Sequence, residues 1–217
     1  MDSSQLLVNE IFYSIQGESL FAGLPCIFVR LTGCNLRCTY CDTTYAWDQG
    51  EPMGIEEVIS KIETFPGSLV EVTGGEPLLQ AATNALTAQL FALGYEVLME
   101  TNGSLPIDAI DTRCVKIMDL KCPSSGQSEY NDMQNISRLM PHDQVKFVIA
   151  DRGDFEFAKQ IIHRKNFPIA PANILFSPAA GRLDPKQLAE WILQAGLTVR
   201  LQLQLHKVIW PGEPRGV

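Results

Sequence analysis

Three cysteines, Cys34, Cys38 and Cys41, stand at C-x3-C-x2-C spacing inside the run Gly33-Cys34-Asn35-Leu36-Arg37-Cys38-Thr39-Tyr40-Cys41-Asp42. A loop this short brings three thiolates to one place. Three thiolates can hold three corners of a cubane 4Fe–4S cluster, whereas a cluster that only transfers electrons usually takes four. The missing ligand leaves one iron open to a substrate or cofactor. The alternative is a zinc site closed by a distant fourth ligand, for which Cys122 is available. Zinc sites more often pair two C-x2-C hairpins, and the sequence holds a single C-x2-C pair. Cys26 and Cys114 read as small core residues, and Cys122 as structural.

A second group of residues follows the apolar run Leu69–Thr73: Gly74-Gly75-Glu76-Pro77. Two glycines at a strand end allow a ligand to approach the backbone, and the Glu76 carboxylate suits the ammonium of an amino acid. A plain strand-to-helix turn is the alternative for so short a motif. Arg30 lies inside the otherwise apolar Cys26–Leu31. A buried guanidinium needs an anion, which here is either a substrate carboxylate or a salt bridge on the outer face. His206 follows the last apolar run and is a candidate substrate contact. His142 and His163 are given no role, and Trp47 and Trp210 read as packing or interface residues.

The elements that must position these groups alternate. Strand candidates are Cys26–Leu31, Leu69–Thr73, Glu96–Thr101, Val115–Leu120, Val145–Ile149, Ile174–Ser177 and Val199–Leu205, rich in β-branched residues. Helical spacing of apolar residues covers Ile55–Phe65, Leu78–Leu93, Phe155–His163 and Pro185–Ala195. Asp184 is the expected N-cap of the last, and Gly94 and Gly196 the expected C′ residues. Such alternation implies a parallel α/β sheet with right-handed crossovers and ligands at the carboxyl ends of the strands. A short or partial (β/α) barrel fits better than a flat doubly wound sheet.

The 217 residues suit one domain, 1–217, and a composition of 46% hydrophobic and 19% charged residues excludes wholesale disorder. Seventeen basic against 25 acidic residues give −8, which argues against nucleic acid as a partner while leaving room for a local basic pocket. No apolar run approaches a membrane span, and Met1-Asp2-Ser3-Ser4-Gln5 lacks the features of a secretory signal. A cytoplasmic location is expected, with cysteines serving as thiols or metal ligands.

The cysteine triad, the aromatic Tyr40 before its third member, and the following Gly-Gly-Glu resemble the radical S-adenosylmethionine superfamily. In that superfamily the open iron is chelated by the methionine moiety, and reductive cleavage yields a 5′-deoxyadenosyl radical. A narrower resemblance spans nearly the whole chain. Asn9–Ser19 (NEIFYSIQGES), Gly23–Leu31 (GLPCIFVRL), Cys41-Asp42-Thr43, Glu100-Thr101-Asn102-Gly103, Lys121–Gly126 (KCPSSG) and Leu205-His206-Lys207 are similar to the 7-carboxy-7-deazaguanine synthase family.

That resemblance implies a reduced, partly open radical-type barrel with an N-terminal substrate-binding extension, forming homodimers. It implies conversion of 6-carboxy-5,6,7,8-tetrahydropterin to 7-carboxy-7-deazaguanine with release of ammonia. Hydrogen is abstracted from substrate C6 and later returned, so that S-adenosylmethionine is regenerated. By the same resemblance Tyr40, Cys41, Asp42, Gly74, Gly75, Glu76, Lys121, Pro123, Ser124 and Ser125 meet S-adenosylmethionine. Ile15, Gln16, Gly17, Arg30, Thr73 and His206 meet the substrate, and Thr43 is the protein ligand of a Mg²⁺ ion. A reductant such as flavodoxin or ferredoxin is expected, and no membrane. Two other readings remain at this point: a radical activating enzyme for a glycyl-radical protein, and a zinc-stabilised binding module without catalysis. The first is not expected to carry Gln16-Gly17-Glu18, Arg30 and His206 together.

Overall fold

The computed structural model describes residues 4–164, 167–213 and 215–217. Its strands are β1 (Gln5–Ile15), β2 (Pro25–Leu31), β3 (Glu51–Gly54), β4 (Leu69–Gly74), β5 (Glu96–Thr101), β6 (Val115–Asp119), β7 (Gln144–Ile149), β8 (Ile174–Pro178) and β9 (Arg200–Leu201). Its helices are α1 (Ile55–Ile62), α2 (Thr83–Ala92), α3 (Asn135–Arg138), α4 (Arg152–Ile162), α5 (Pro185–Gln194) and α6 (Leu205–Ile209). One sheet holds all nine strands in the order β3-β1-β2-β4-β5-β6-β7-β8-β9. From β2 to β9 the neighbours run parallel, while β1 pairs antiparallel with both β2 and β3. The outermost strands, β3 and β9, do not pair, so the barrel is open.

Alternation along each strand sorts the side chains by face. Ile27, Val29 and Leu31 of β2, Val70 and Val72 of β4, Val97 and Met99 of β5, and Val145, Phe147 and Ile149 of β7 belong to the main core. Against them pack Val58, Ile59 and Ile62 of α1, Leu86 and Leu90 of α2, Phe155 and Ile161 of α4, and Leu188 and Ile192 of α5. Each fully buried Leu, Ile or Phe contributes about 1.5–3 kcal/mol relative to its exposed state. The residues in between face inward. Cys26, Phe28, Leu69, Leu98 and Ile117 join Phe12 in a smaller apolar cluster at the base of the barrel. Further along β2, β4, β5 and β6 come Arg30, Thr73, Glu100 and Asp119, which with Lys146 of β7 line a cavity.

Helix ends follow local chemistry. The Asp184 side chain accepts from Lys186 N at the start of α5, with Pro185 in the first turn, and Asp151 does the same for Asp154 N at the start of α4. Gly94 and Gly196 adopt positive φ after α2 and α5, as their positions require. The expected strand Val199–Leu205 is corrected to the two residues of β9, and Leu205 begins α6. Gln202 N still donates to the Phe176 carbonyl of β8 at 2.9 Å, and the Gln202 and Gln204 side-chain amides turn to Glu18, at 3.0 and 2.7 Å. The helix expected from Leu78 starts at Thr83, after a 3-10 turn at Pro77–Leu79. Among the described residues no helix is long and apolar enough to cross a membrane.

Candidate active site

The carboxyl ends of the parallel strands open into a cavity of about 810 Å³. Cys34, Cys38 and Cys41 line one wall, carried by the loop after β2. All three are half-buried free thiols, whereas Cys26, Cys114 and Cys122 are fully buried. Burial, and the other thiols of the triad, push Cys38 and Cys41 above the ordinary thiol range. Cys122 does not line the cavity, and its sulfur faces the Leu120 carbonyl at 4.0 Å. The fourth zinc ligand considered from sequence is therefore not at hand. Among the described residues, no three Cys, His, Asp or Glu side chains converge tightly enough for a single metal ion. Three accessible sulfurs on one loop, without a fourth, fit an iron–sulfur cube with one open corner.

Neighbouring strand ends hold that loop. Gly75 N donates to the Leu31 carbonyl at 3.1 Å and Glu76 N to the Gly33 carbonyl at 2.7 Å. A Cβ on Gly74 would overlap the Leu31 backbone and one on Gly75 the Gly33 carbonyl, so both positions require glycine. Asn102, after β5, donates to Asn35 at 3.1 Å and lies 3.9 Å from the Cys34 sulfur. On the far side Thr39 donates its N–H to the Ser125 carbonyl (3.0 Å) and its hydroxyl to the Ser124 carbonyl (2.8 Å). Arg37 folds back onto the Cys34 carbonyl at 2.7 Å, with its guanidinium over the Trp47 ring.

Several residues expected to touch S-adenosylmethionine also have partners within the protein. Glu76 is fully buried behind the glycines and accepts from Leu78 N (3.1 Å), Thr101 Oγ1 (2.9 Å) and Asn102 N (2.7 Å). It fastens the β4 and β5 ends directly behind the glycines that line the cavity. Pro123, Ser124 and Ser125 also lie off the cavity wall. Ser125 Oγ donates to the Cys122 carbonyl and Ser124 Oγ to Asp151, so these residues brace the cysteine loop from behind. Tyr40, Asp42, Gly74, Gly75 and Lys121 do line the cavity. Burial acts to raise Asp42, but Lys207 at 2.7 Å holds it well below the carboxylate range. Burial acts to lower Lys121, yet Asp119 at 2.8 Å keeps it above the ordinary lysine value.

All six expected substrate residues, Ile15, Gln16, Gly17, Arg30, Thr73 and His206, line the same cavity. Arg30 meets Glu10 through Nε at 2.7 Å. Its two terminal nitrogens make no hydrogen bond to the described residues, leaving one fork of the guanidinium for a ligand. Gly17 must be glycine because a Cβ would collide with the His206 ring, and burial lowers His206 below the ordinary imidazole value. Thr43 lines the cavity, its hydroxyl donating to Asp42 at 3.1 Å. Trp47 and Trp210, read as packing or interface residues, also line the cavity, and Val217 joins them from the tail.

Sequence reasoning missed the charged floor. Lys146 contacts Glu18 at 2.9 Å and Asp119 at 3.8 Å, and pairs with Glu100. Burial acts to lower Lys146, but these acids hold it well above its ordinary value; Lys146 and Gln204 in turn hold Glu18 low against burial. Glu71 has no such counterion: burial, then Glu100 and Glu18, push it up to about 8. Acids and lysines inside otherwise apolar strands (VEVTG, VLMET, VKIMD, QVKFVI) were the available signal.

The Radical SAM superfamily model matches residues 28–114. A 7-carboxy-7-deazaguanine synthase of Chlorobaculum tepidum is 47% identical over 98% of this chain and 97% of its own length. One of Koribacter versatilis is 43% identical over 97% and 99%. The crystal structure of QueE from Escherichia coli, 22% identical, superposes with a TM-score of 0.77 over 92% of this chain and 94% of that one, which supports the fold. With the thiol triad and Arg30 lining one cavity, this full-length similarity shows that the chain belongs to the 7-carboxy-7-deazaguanine synthase family of radical S-adenosylmethionine enzymes.

Proposed function

We propose that this cavity converts 6-carboxy-5,6,7,8-tetrahydropterin to 7-carboxy-7-deazaguanine with release of ammonia. The observation that carries this reading is the pairing, in one cavity, of three accessible thiols with a half-committed arginine fork. Cys34, Cys38 and Cys41 would hold a 4Fe–4S cluster, which would supply the electron for reductive cleavage of S-adenosylmethionine and so the hydrogen abstraction at substrate C6. The chain's own residues bind, orient and exclude water. Gly74 and Gly75 give the cofactor a backbone edge without side chains, Tyr40 and Asp42 flank it, and Lys121 offers a cation. Arg30 takes the substrate carboxylate through its free nitrogens, while the Gln16-Gly17 backbone, Thr73 and His206 meet the ring. Lys146, held between Glu18, Glu100 and Asp119, keeps the floor charged and fixed.

The chain works as a single radical S-adenosylmethionine core domain, 1–217, with an N-terminal substrate-binding extension. Thr43 is the protein ligand of a Mg²⁺ ion, which suits a cation that keeps several waters. After chelator treatment, Mg²⁺ should restore turnover to the wild type and restore Thr43→Val much less; equal responses would remove Thr43 from the role. A flavodoxin or ferredoxin supplies electrons, and the enzyme works in the cytoplasm, where its cysteines stay reduced. The exposed Leu203, Val208 and Ile209 near α6 favour pairing with a second copy, which light scattering would detect as a dimer. The reading as a whole is tested by anaerobic incubation of reduced, iron-loaded protein with S-adenosylmethionine and carboxytetrahydropterin. Mass analysis should find the deazaguanine acid and an equivalent of ammonia; unchanged substrate would refute it.

A further inference from the structure

Glu71 is the one acid set into the apolar base of the barrel. On β4 it faces inward, and its register partners are Phe28 of β2 and Leu98 of β5, both members of the inner apolar cluster. Its residue exposure is 5%, and it lines the cavity from below. A carboxyl among such neighbours is costly and calls for a use. One oxygen is engaged: Gln16 Nε2 donates to Glu71 Oε2. The orientation of that amide is set independently, because Gln16 Oε1 accepts from Glu18 N at 2.9 Å. Oε2 is therefore an acceptor. No described residue donates to Oε1, which is not among the sealed, partnerless buried atoms and so opens on the cavity.

We propose that Glu71 determines substrate specificity: Oε2 fixes the Gln16 amide, and Oε1 accepts from the amino and N–H edge of the flat 2-amino-4-oxo heterocycle. This rests on the substrate class proposed above. The charged and titratable groups around Glu71 come from every neighbouring element: Arg30 and Cys26 on β2, Glu100 on β5, Lys146 on β7, and Glu18 after β1. Glu100 and Glu18 press a proton onto Glu71, and ligand N–H donors favour its removal. Binding of the amino-bearing ring is thus coupled to proton release.

The test is anaerobic calorimetry with 6-carboxytetrahydropterin and with its 2-oxo counterpart, 6-carboxytetrahydrolumazine, in buffers of different ionisation enthalpy. The wild type should prefer the pterin by roughly 10–100-fold, the range of a buried hydrogen-bonding edge left unmatched. It should also release more protons with the pterin than with the lumazine. In Glu71→Gln the new amide must give its oxygen to Gln16 and turn its NH2 to the ligand, so the preference should vanish or reverse. S-adenosylmethionine affinity should stay unchanged. An unaltered pterin preference in Glu71→Gln overturns the inference while leaving the reaction intact. If wild type binds neither compound, the substrate class falls and this inference with it. If the variant does not fold, the wild-type proton count decides: equal release with both ligands overturns the proposal.

Discussion

Arg30 and Glu71 show how one cavity treats two charges differently. Arg30 has Glu10 on Nε and aromatic faces of Phe12 and Tyr45 beside it, so it is charged whether or not a ligand is present. Arg30→Ala should weaken carboxytetrahydropterin by about 2–5 kcal/mol, the cost of truncating one partner of a desolvated charge pair. Separate titrations should find S-adenosylmethionine binding nearly unchanged; equal loss of both would point to a folding defect. Glu71 is instead stable as the neutral acid. Its folded value is raised from 4.5 to about 8 by burial and by Glu100 and Glu18. Its contribution to stability is therefore complete below 4.5 and is lost as pH climbs to about 8. At about 1.4 kcal/mol per unit, shared among the coupled acids, the loss amounts to a few kcal/mol. Glu71→Gln removes that dependence, so denaturant titrations should find its advantage over the wild type growing between about pH 5 and pH 8. A constant difference across that range would contradict the assignment.

At the scale of elements, the cysteine loop depends on strand ends far away in sequence. Gly75→Ala should displace the Gly33 carbonyl and move Cys34, since a Cβ there also comes within 2.9 Å of the Cys34 Cβ. The expected outcome is several-fold faster iron loss to a chelator with little change in far-ultraviolet circular dichroism, a strain of about 1–3 kcal/mol falling on the loop. Iron retention equal to the wild type would refute this. The triad and the paired glycines were legible in the sequence because their chemistry lies in short spacing. The motif did not reveal the partners of Glu76, because local spacing does not show that Thr101 and Asn102 meet its carboxyl from β5. The bracing by Ser124 and Ser125 was hidden for the same reason: their carbonyls hold Thr39, about 85 residues away.

Across the whole molecule, the seven sequence-derived strands lie where apolar runs put them, except at β9, which is cut to two residues as the chain turns into α6 and the Gln202 and Gln204 side chains meet Glu18. The strands β1 and β3 were not expected as strands, because their half-polar patterns gain stability only by pairing with β2 and with each other. The charged floor was illegible for a related reason. Glu18, Glu100, Asp119 and Lys146 meet only once β5, β6 and β7 are in register, and no local pattern encodes that meeting. The central claim is that this assembled cavity brings substrate C6 and S-adenosylmethionine together for ring contraction. The most direct measurement is anaerobic turnover of substrate carrying deuterium at C6, followed by mass analysis of product and recovered S-adenosylmethionine. The account predicts 7-carboxy-7-deazaguanine, ammonia in equal amount, and deuterium in the recovered S-adenosylmethionine. Product formed with no deuterium in S-adenosylmethionine, or with 5′-deoxyadenosine accumulating in step with it, would contradict the account.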